Sequence, residues 1–266
     1  MLATPLGDEP VEEIHLGSAP LVRVIAQLRF PRLASMADDA VAHAFAKEVS
    51  GDYPLFEEAR ELSLVIAGAA ISQQEHVTSP VWRLQTTDGN WRVTLGHGSL
   101  SLETLAYSRR RDFCGRLARL ASVFVRIAEP PRFDRFGIRY VNRVTDASIV
   151  AIIPELVRPE IMGAATLELP DSATLHHSLV EVQLTQGAYS ILVRSGILPA
   201  GVTIDPTVSP ADMKSWILDI DSAMNEASAI PIDSIEELSE DLAARAYRFF
   251  RYAVSYDFLR AFEAPQ

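Results

Sequence analysis

Two stretches of the chain alternate between apolar and polar positions, which is typical of strands with one buried face. The first, PLVRVIAQLRF, spans Pro20–Phe30 and ends before a proline. The second, RFGIRYVNRV, spans Arg135–Val144. One face of each predicted strand is apolar. The other face is rich in arginine and amide, with Arg23, Gln27 and Arg29 on the first strand and Arg135, Arg139 and Arg143 on the second.

The rest of the chain mixes further strands with helices. VWRLQTTDGNWRVTLG predicts a β-hairpin, because two alternating runs flank Asp88-Gly89-Asn90. Helical spacing of apolar residues predicts helices over 35–49, 108–127 and 152–162. Further strands are predicted at 61–72, 99–107, 175–187, 188–195 and 214–221.

The last element has the clearest helical pattern. Ser234 opens SIEE, an S-x-x-E capping box with further acids around it. An apolar stripe at helical spacing continues to Leu259. The pattern predicts one helix of about 28 residues, roughly 40 Å long.

These elements define an α+β fold with antiparallel sheets and long packing helices. Each half opens with an arginine-bearing strand, continues through a helix and a meander, and closes on a helix. We therefore predict a duplicated β-α-βββ-α unit. Residues 1–15 are predicted to form a flexible tail, and 16–266 a single globular module with halves at about 16–130 and 131–266.

Composition and charge limit the classes of function. The formal net charge is -11 and the pI is about 5.0, which disfavours broad binding of nucleic acid. The acidic N-terminus lacks the pattern of a secretory or transit peptide, and no run of 18 apolar residues predicts a membrane span. Cys114 is the single cysteine, which excludes an intramolecular disulfide and is compatible with a reducing compartment. We expect a cytoplasmic protein.

Charge is unevenly distributed along the chain. Between Arg109 and Arg143 there are ten arginines and three acids, whereas Asp219–Asp241 has eight acids and no basic residue. A local anion site is therefore compatible with the acidic total.

Motifs for catalysis and for cofactors are missing from the sequence. The six histidines have no metal-ligand spacing, and there is no nucleophile elbow and no phosphate-binding glycine loop. We expect no metal and no cofactor, and the catalytic residues, if any, are unknown. Asp219 and Asp221 in WILDID share one strand face, where they could act in acid/base catalysis, bind a cation or pair with the arginines. Ion pairing is the favoured interpretation.

If the two arginine-bearing strands are neighbours, their polar faces would merge into one surface. Arginine binds carboxylate or phosphate through two parallel hydrogen bonds, and it tolerates partial burial. Such a surface requires acids of the same chain, an external anion or an acidic protein partner. The candidate anion-binding residues are Arg135, Arg139, Arg143, Arg29 and Arg23.

The same two strands resemble the signature segments of one uncharacterised, sporadically distributed prokaryotic family. That family has a PLVEVI-like opening and a central LRYINRI-like motif, which correspond here to PLVRVI and IRYVNRV. WILDID and FLRAFE also fit its pattern, although Arg23 stands where the family tends to have an acid. The resemblance implies one full-length module of an accessory gene, such as a defence or toxin–antitoxin gene. It implies no activity and no catalytic residues.

Two functions from different classes follow. The first is a non-catalytic interaction or regulatory protein of an accessory gene module, with a partner encoded nearby or a second copy of itself. The alternative is an enzyme or sensor that binds an anionic small molecule, such as a nucleotide, on the arginine-lined face. Nucleic-acid binding through the Arg109–Arg143 stretch is a weaker third option, and no membrane partner is expected.

Overall fold

A computed structural model gives the structure of the chain. It describes residues 4–7, 11–62, 78–170, 172–204, 208–225 and 234–263. Nine strands and six α-helices within these residues confirm the α+β class. The strands are β1 (Leu21–Arg29), β2 (Leu55–Leu62), β3 (Thr78–Gln85), β4 (Trp91–Gly96), β5 (Ser99–Thr104), β6 (Arg135–Val144), β7 (Ser178–Gln186), β8 (Tyr189–Leu198) and β9 (Ser215–Met224). The helices are α1 (Ala40–Val49), α2 (Arg110–Ala128), α3 (Ala147–Leu156), α4 (Pro159–Met162), α5 (Ile235–Ala253) and α6 (Tyr256–Ala261).

The strands are hydrogen-bonded in the order β2-β3-β4-β5-β1-β6-β9-β8-β7. The chain divides into two compact units. The first unit comprises Met1–Ile25, Gly137–Asn225 and Glu237–Gln266, and the second comprises Ala26–Phe136 and Glu226–Glu236. The division passes through β1 and β6, so each of these strands contributes to both units.

In the second unit, strands β2 to β5 form an antiparallel meander. The predicted hairpin is confirmed: Gly89 adopts a positive φ of 71°, and the Asp88 carboxylate accepts a hydrogen bond from the Asn90 backbone N–H at 3.0 Å. Helices α1 and α2 contact each other. Their buried rings Phe45 and Phe124 pack edge to face, with centroids 6.4 Å apart.

In the first unit, β8 pairs with β7 on one side and with β9 on the other, antiparallel in both cases. The tight turn predicted near Gly187 joins β7 to β8, and Gly187 has a φ of 58°. The main apolar core lies between these strands and helices α3, α5 and α6. Trp216 and Phe258 are both fully buried there, with ring centroids 5.7 Å apart.

The prediction of one long C-terminal helix is wrong. Helix α5 ends at Ala253, and α6 begins at Tyr256. Between them, Val254 forms an isolated β-bridge with Val157, and the Ser255 backbone N–H donates to the Leu156 carbonyl at 2.8 Å. The Ser255 hydroxyl then caps α6 by accepting from the Phe258 N–H. The apolar stripe continues across the break because both helices pack on the same core.

Three further predictions concern the organisation of the chain. The strand predicted over 61–72 lies mostly outside the described residues, and the described strand there is β2. The order of elements is β-α-ββββ-α followed by β-α-α-βββ-α-α, and the duplication stays a prediction. In the segment predicted to be a tail, the Ile14 N–H donates to the Tyr247 hydroxyl at 2.7 Å and the Glu12 carbonyl accepts from Arg251 at 3.0 Å.

The contact between β7 and β8 generates a first prediction, at Gly196. A Cβ at this position would overlap the Ser178 carbonyl oxygen and lie 2.9 Å from the Leu179 Cα. These are backbone atoms that cannot rotate away, so we expect Gly196→Ala to destabilise the fold by about 1–3 kcal/mol or more. Thermal unfolding measures the effect. Gly51→Ala is the control, because a Cβ there meets nothing within 4 Å; equal midpoints for the two variants would contradict the prediction.

Candidate functional site

The alternation predicted for β6 is confirmed by its packing. Val141 lies in a small apolar cluster with Leu198, Val208 and Ile217, whereas Tyr140 packs against the main core of the first unit. Successive side chains of a strand point to opposite faces. Arg139 and Arg143 therefore share the face of Val141, on the side of the sheet away from the main core.

Arg139 binds Asp219 through two parallel hydrogen bonds. Its Nε donates to Oδ1 at 2.7 Å, and its Nη2 donates to Oδ2 at 2.8 Å. The Asp219 side chain is only 2% exposed and that of Arg139 only 15% exposed. This is the ion pair that the sequence favoured for Asp219. Because the pair is bidentate and largely buried, breaking it should cost more free energy of unfolding than breaking an ordinary surface pair.

The pair is part of a row of charges that crosses the sheet. Asp219 lies opposite Arg194 in the β8–β9 register, and Arg194 lies opposite Glu181 in the β7–β8 register. Arg194 Nη1 is 3.6 Å from Asp219 Oδ2, and its Nε donates to Glu181 Oε2 at 2.7 Å. We call Arg139, Asp219, Arg194 and Glu181 the charge row. Two cations alternate with two anions, so the row is internally neutral.

Arg143 donates its hydrogen bonds to neutral groups of the chain. Its Nη1 donates to the Ser209 carbonyl at 2.5 Å, its Nη2 to the Val202 carbonyl at 3.1 Å, and its Nε to the Ser215 hydroxyl at 3.1 Å. Burial lowers the pKa of Arg143 from its ordinary value. The contacts tie the connection between β8 and β9 onto the sheet, so this guanidinium acts as a structural clamp.

Arg23 lies on the opposite face from Arg143. The Arg143 N–H donates to the Pro20 carbonyl at 2.7 Å, which sets the antiparallel register. Residues directly opposite each other share a face, and Arg23 is three residues beyond Pro20. In the second unit, the Asp134 N–H donates to the Arg29 carbonyl at 2.7 Å, so Arg29 shares the face of Asp134 and not that of Arg135. The expected merging of the two polar faces is therefore not met at either position.

Asp221 lies on β9 two residues beyond Asp219, and therefore on the same face. It is half-buried and lies opposite Leu192 in the β8–β9 register. In the β8–β9 register, Asp219 therefore lies opposite an arginine and Asp221 does not.

Sequence reasoning missed Arg194 and Glu181, although a signal for them was present. A two-residue turn at 187–188 pairs Gln186 with Tyr189. Counting back along both strands from that turn places Glu181 opposite Arg194, so the ion pair followed from the predicted hairpin. The acceptors of Arg143 had no such signal, because two of them are backbone carbonyls of an irregular connection.

Across the described ranges, no group of three or more histidine, cysteine or acidic side chains is arranged to hold a metal ion. Among the helices described, none combines the length and the apolar character that a bilayer crossing requires.

Comparison with known proteins found no match to this chain, either among protein-family models or among curated proteins. The likeness to the family with the PLVEVI-like opening therefore stays a resemblance.

The charge row predicts a large energetic coupling between Arg139 and Asp219. Arg139→Ala leaves a buried carboxylate with only the more distant Arg194, and we expect a loss of about 3–5 kcal/mol in the free energy of unfolding. Asp219→Ala removes the carboxylate partner of the Arg139 guanidinium, and it should also lower the free energy of unfolding. The double variant should be less destabilised than the sum of the two, in a double-mutant cycle measured by urea denaturation.

Arg132→Ala is the matched control for this cycle. Arg132 pairs with Asp134 at 2.9 Å, but its side chain is 54% exposed, so its removal should change stability by less than about 1 kcal/mol. Additive effects of Arg139→Ala and Asp219→Ala would show that the pair contributes no more than a surface pair.

Proposed function

We propose that the chain is a non-catalytic interaction or regulatory protein that acts by binding another polypeptide through the edge of its sheet. We place it in the cytoplasm, as part of an accessory gene module of the defence or toxin–antitoxin kind that its resemblance implies. The observation that carries the proposal is the composition and exposure pattern of β7, the terminal strand of the first unit.

Strand β7 has the properties of an edge that accepts a further strand. It is nine residues long, regular and bounded by no proline, and Glu181 is its one charged residue. From Leu179 to Thr185 its side chains alternate between exposed and half-buried, and Leu179 is 42% exposed. Terminal strands have a row of backbone donors and acceptors on their outer side, and proteins usually protect such edges with charge, proline or bulges. This strand has little such protection.

Strand β2, the terminal strand of the second unit, shows the contrast. Its described side chains include two neighbouring acids, Glu57 and Glu58, both exposed. Charged side chains along an edge oppose the approach of another strand. The two terminal strands therefore differ in their capacity to pair, and β7 is the one suited to binding.

Strand addition requires no catalytic group. Main-chain hydrogen bonds supply affinity, and the alternating side chains supply selectivity. This agrees with the chemistry of the arginine-bearing face in the first unit, where the donors of Arg139 and Arg143 are used by the chain itself. Guanidinium groups held in this way support the architecture of the sheet.

The alternative, an enzyme or sensor for an anionic small molecule, has less support from this geometry. An anion at Arg139 would have to displace the Asp219 carboxylate, and an anion at Arg143 would have to displace two carbonyls and a hydroxyl. Each exchange breaks charge-assisted or buried hydrogen bonds, and such bonds are costly to lose.

A thermal-shift screen with nucleotides and phosphorylated metabolites separates the two functions. We expect no stabilisation. A true ligand at a hundredfold excess over its Kd would add about 2.7 kcal/mol. A compound that stabilises the wild-type chain, but gives Arg139→Ala no shift relative to its own ligand-free midpoint, would favour the anion-binding alternative.

Lysines placed on β7 test the proposed binding edge. Leu179 and Thr185 are both exposed. Replacing both with lysine puts charge on the strand, which protects an edge against pairing with another strand. The wild-type chain is expected to form complexes with itself or with other proteins of its native cells, and this variant should lose them. Light scattering after cross-linking measures the mass of the complexes. Leu105→Lys, at a site 55% exposed outside any strand, should keep them. A wild-type chain that binds no polypeptide would overturn the proposal.

A further inference from the structure

We infer that β7 pairs with β7 of a second copy of this chain, antiparallel, about a two-fold axis at Val182. This inference rests on the proposed function and names the partner. In this arrangement, residues whose numbers sum to 364 lie opposite each other. The axis is perpendicular to the sheet, so the two first units would share one continuous sheet across it.

The position of the axis follows from the length of the strand. Val182 is the middle residue of Ser178–Gln186, so an axis there lets all nine residues of each copy pair. Any other symmetric register leaves strand ends unpaired. Full overlap also gives the greatest number of interstrand hydrogen bonds that this edge can form.

Apolar residues meet apolar residues in this register. Val180 lies opposite Leu184 of the second copy, and the two Val182 side chains lie opposite each other. All three side chains are half-buried and lie on the side of the sheet that faces the main core, against which Leu184 already packs. Pairing of the two strands would extend that apolar layer across the axis.

Charges in this register are compatible as well. Glu181 lies opposite Gln183 of the second copy, so each carboxylate faces an amide that can donate to it. Each Glu181 also keeps its bond to Arg194 within its own chain. A shift of the axis by one residue to Glu181 would place the two carboxylates directly opposite, which is unfavourable. The pairing of charges and the overlap of the two strands therefore both favour an axis at Val182.

Substitutions at Gln183 test the register through the sign of the charge. Gln183→Glu places a carboxylate opposite Glu181 of the second copy, twice per dimer, and should weaken dimerisation by roughly 2- to 30-fold. Gln183→Lys should strengthen it. Combining Gln183→Glu with Glu181→Gln restores one acid opposite one amide and should recover part of the loss. Sedimentation equilibrium of the full chain measures the dissociation constant.

Single cysteines test the position of the axis directly. Cysteines from Val182→Cys would lie directly opposite each other, at a Cα separation of about 4.5–5.5 Å that suits a disulfide. Cysteines from Leu184→Cys would be four residues apart along the strands, about 13 Å, which is too far. The native Cys114 is buried and so does not compete. We expect a mild oxidant to cross-link Val182→Cys and to leave Leu184→Cys monomeric on a denaturing gel.

The outcomes separate this inference from the proposed function. Equal cross-linking of both cysteine variants, or equal effects of Gln183→Glu and Gln183→Lys, would overturn the register. A chain that stays monomeric at every concentration, while the lysines on β7 abolish binding to a different protein, would overturn self-pairing and leave the proposed function in place. If the chain is monomeric and the lysines on β7 do not affect its binding to another protein, both this inference and the proposed function are wrong.

Discussion

The buried carboxylate of Asp219 is the constraint on which the first unit depends. It lies between Arg139 on one neighbouring strand and Arg194 on the other, and it is almost fully shielded from water. A carboxylate in that place is tolerated only while its cations are present. A one-residue slip of β9 would turn Asp219 toward the apolar core and strip it of both partners. The charge row therefore fixes the register of β6, β8 and β9.

The same row explains how one sheet can support two different faces. On one side, Trp216 and its neighbours pack with α3, α5 and α6. On the other side, polar groups are satisfied within the chain: Arg139 by Asp219, and Arg143 by carbonyls of the connection between β8 and β9. Buried polar groups are stabilising only when their hydrogen bonds are made. The arginines that made this strand look like a ligand site are thus part of its internal structure.

The binding edge proposed for the first unit is its terminal strand. Strand β7 carries the last member of the charge row, Glu181, together with alternating apolar side chains. It differs from β2, whose charges oppose pairing. Behind this edge, the charge row links β7, β8, β9 and β6 in a fixed register. Architecture and proposed function are connected in this way through the same four residues.

The sequence by itself determined the class of fold, most of the strands and helices, the alternation of β6 and the preference of Asp219 for an arginine. These features depend on local periodicity and on turn residues such as Gly89 and Gly187, which act over a few positions. Tertiary structure alone decided the break at Ser255, the carbonyl clamp around Arg143, and the opposite faces of Arg23 and Arg143. Each of these depends on which distant backbone groups meet, and side-chain patterns along the chain do not encode the registers that bring them together.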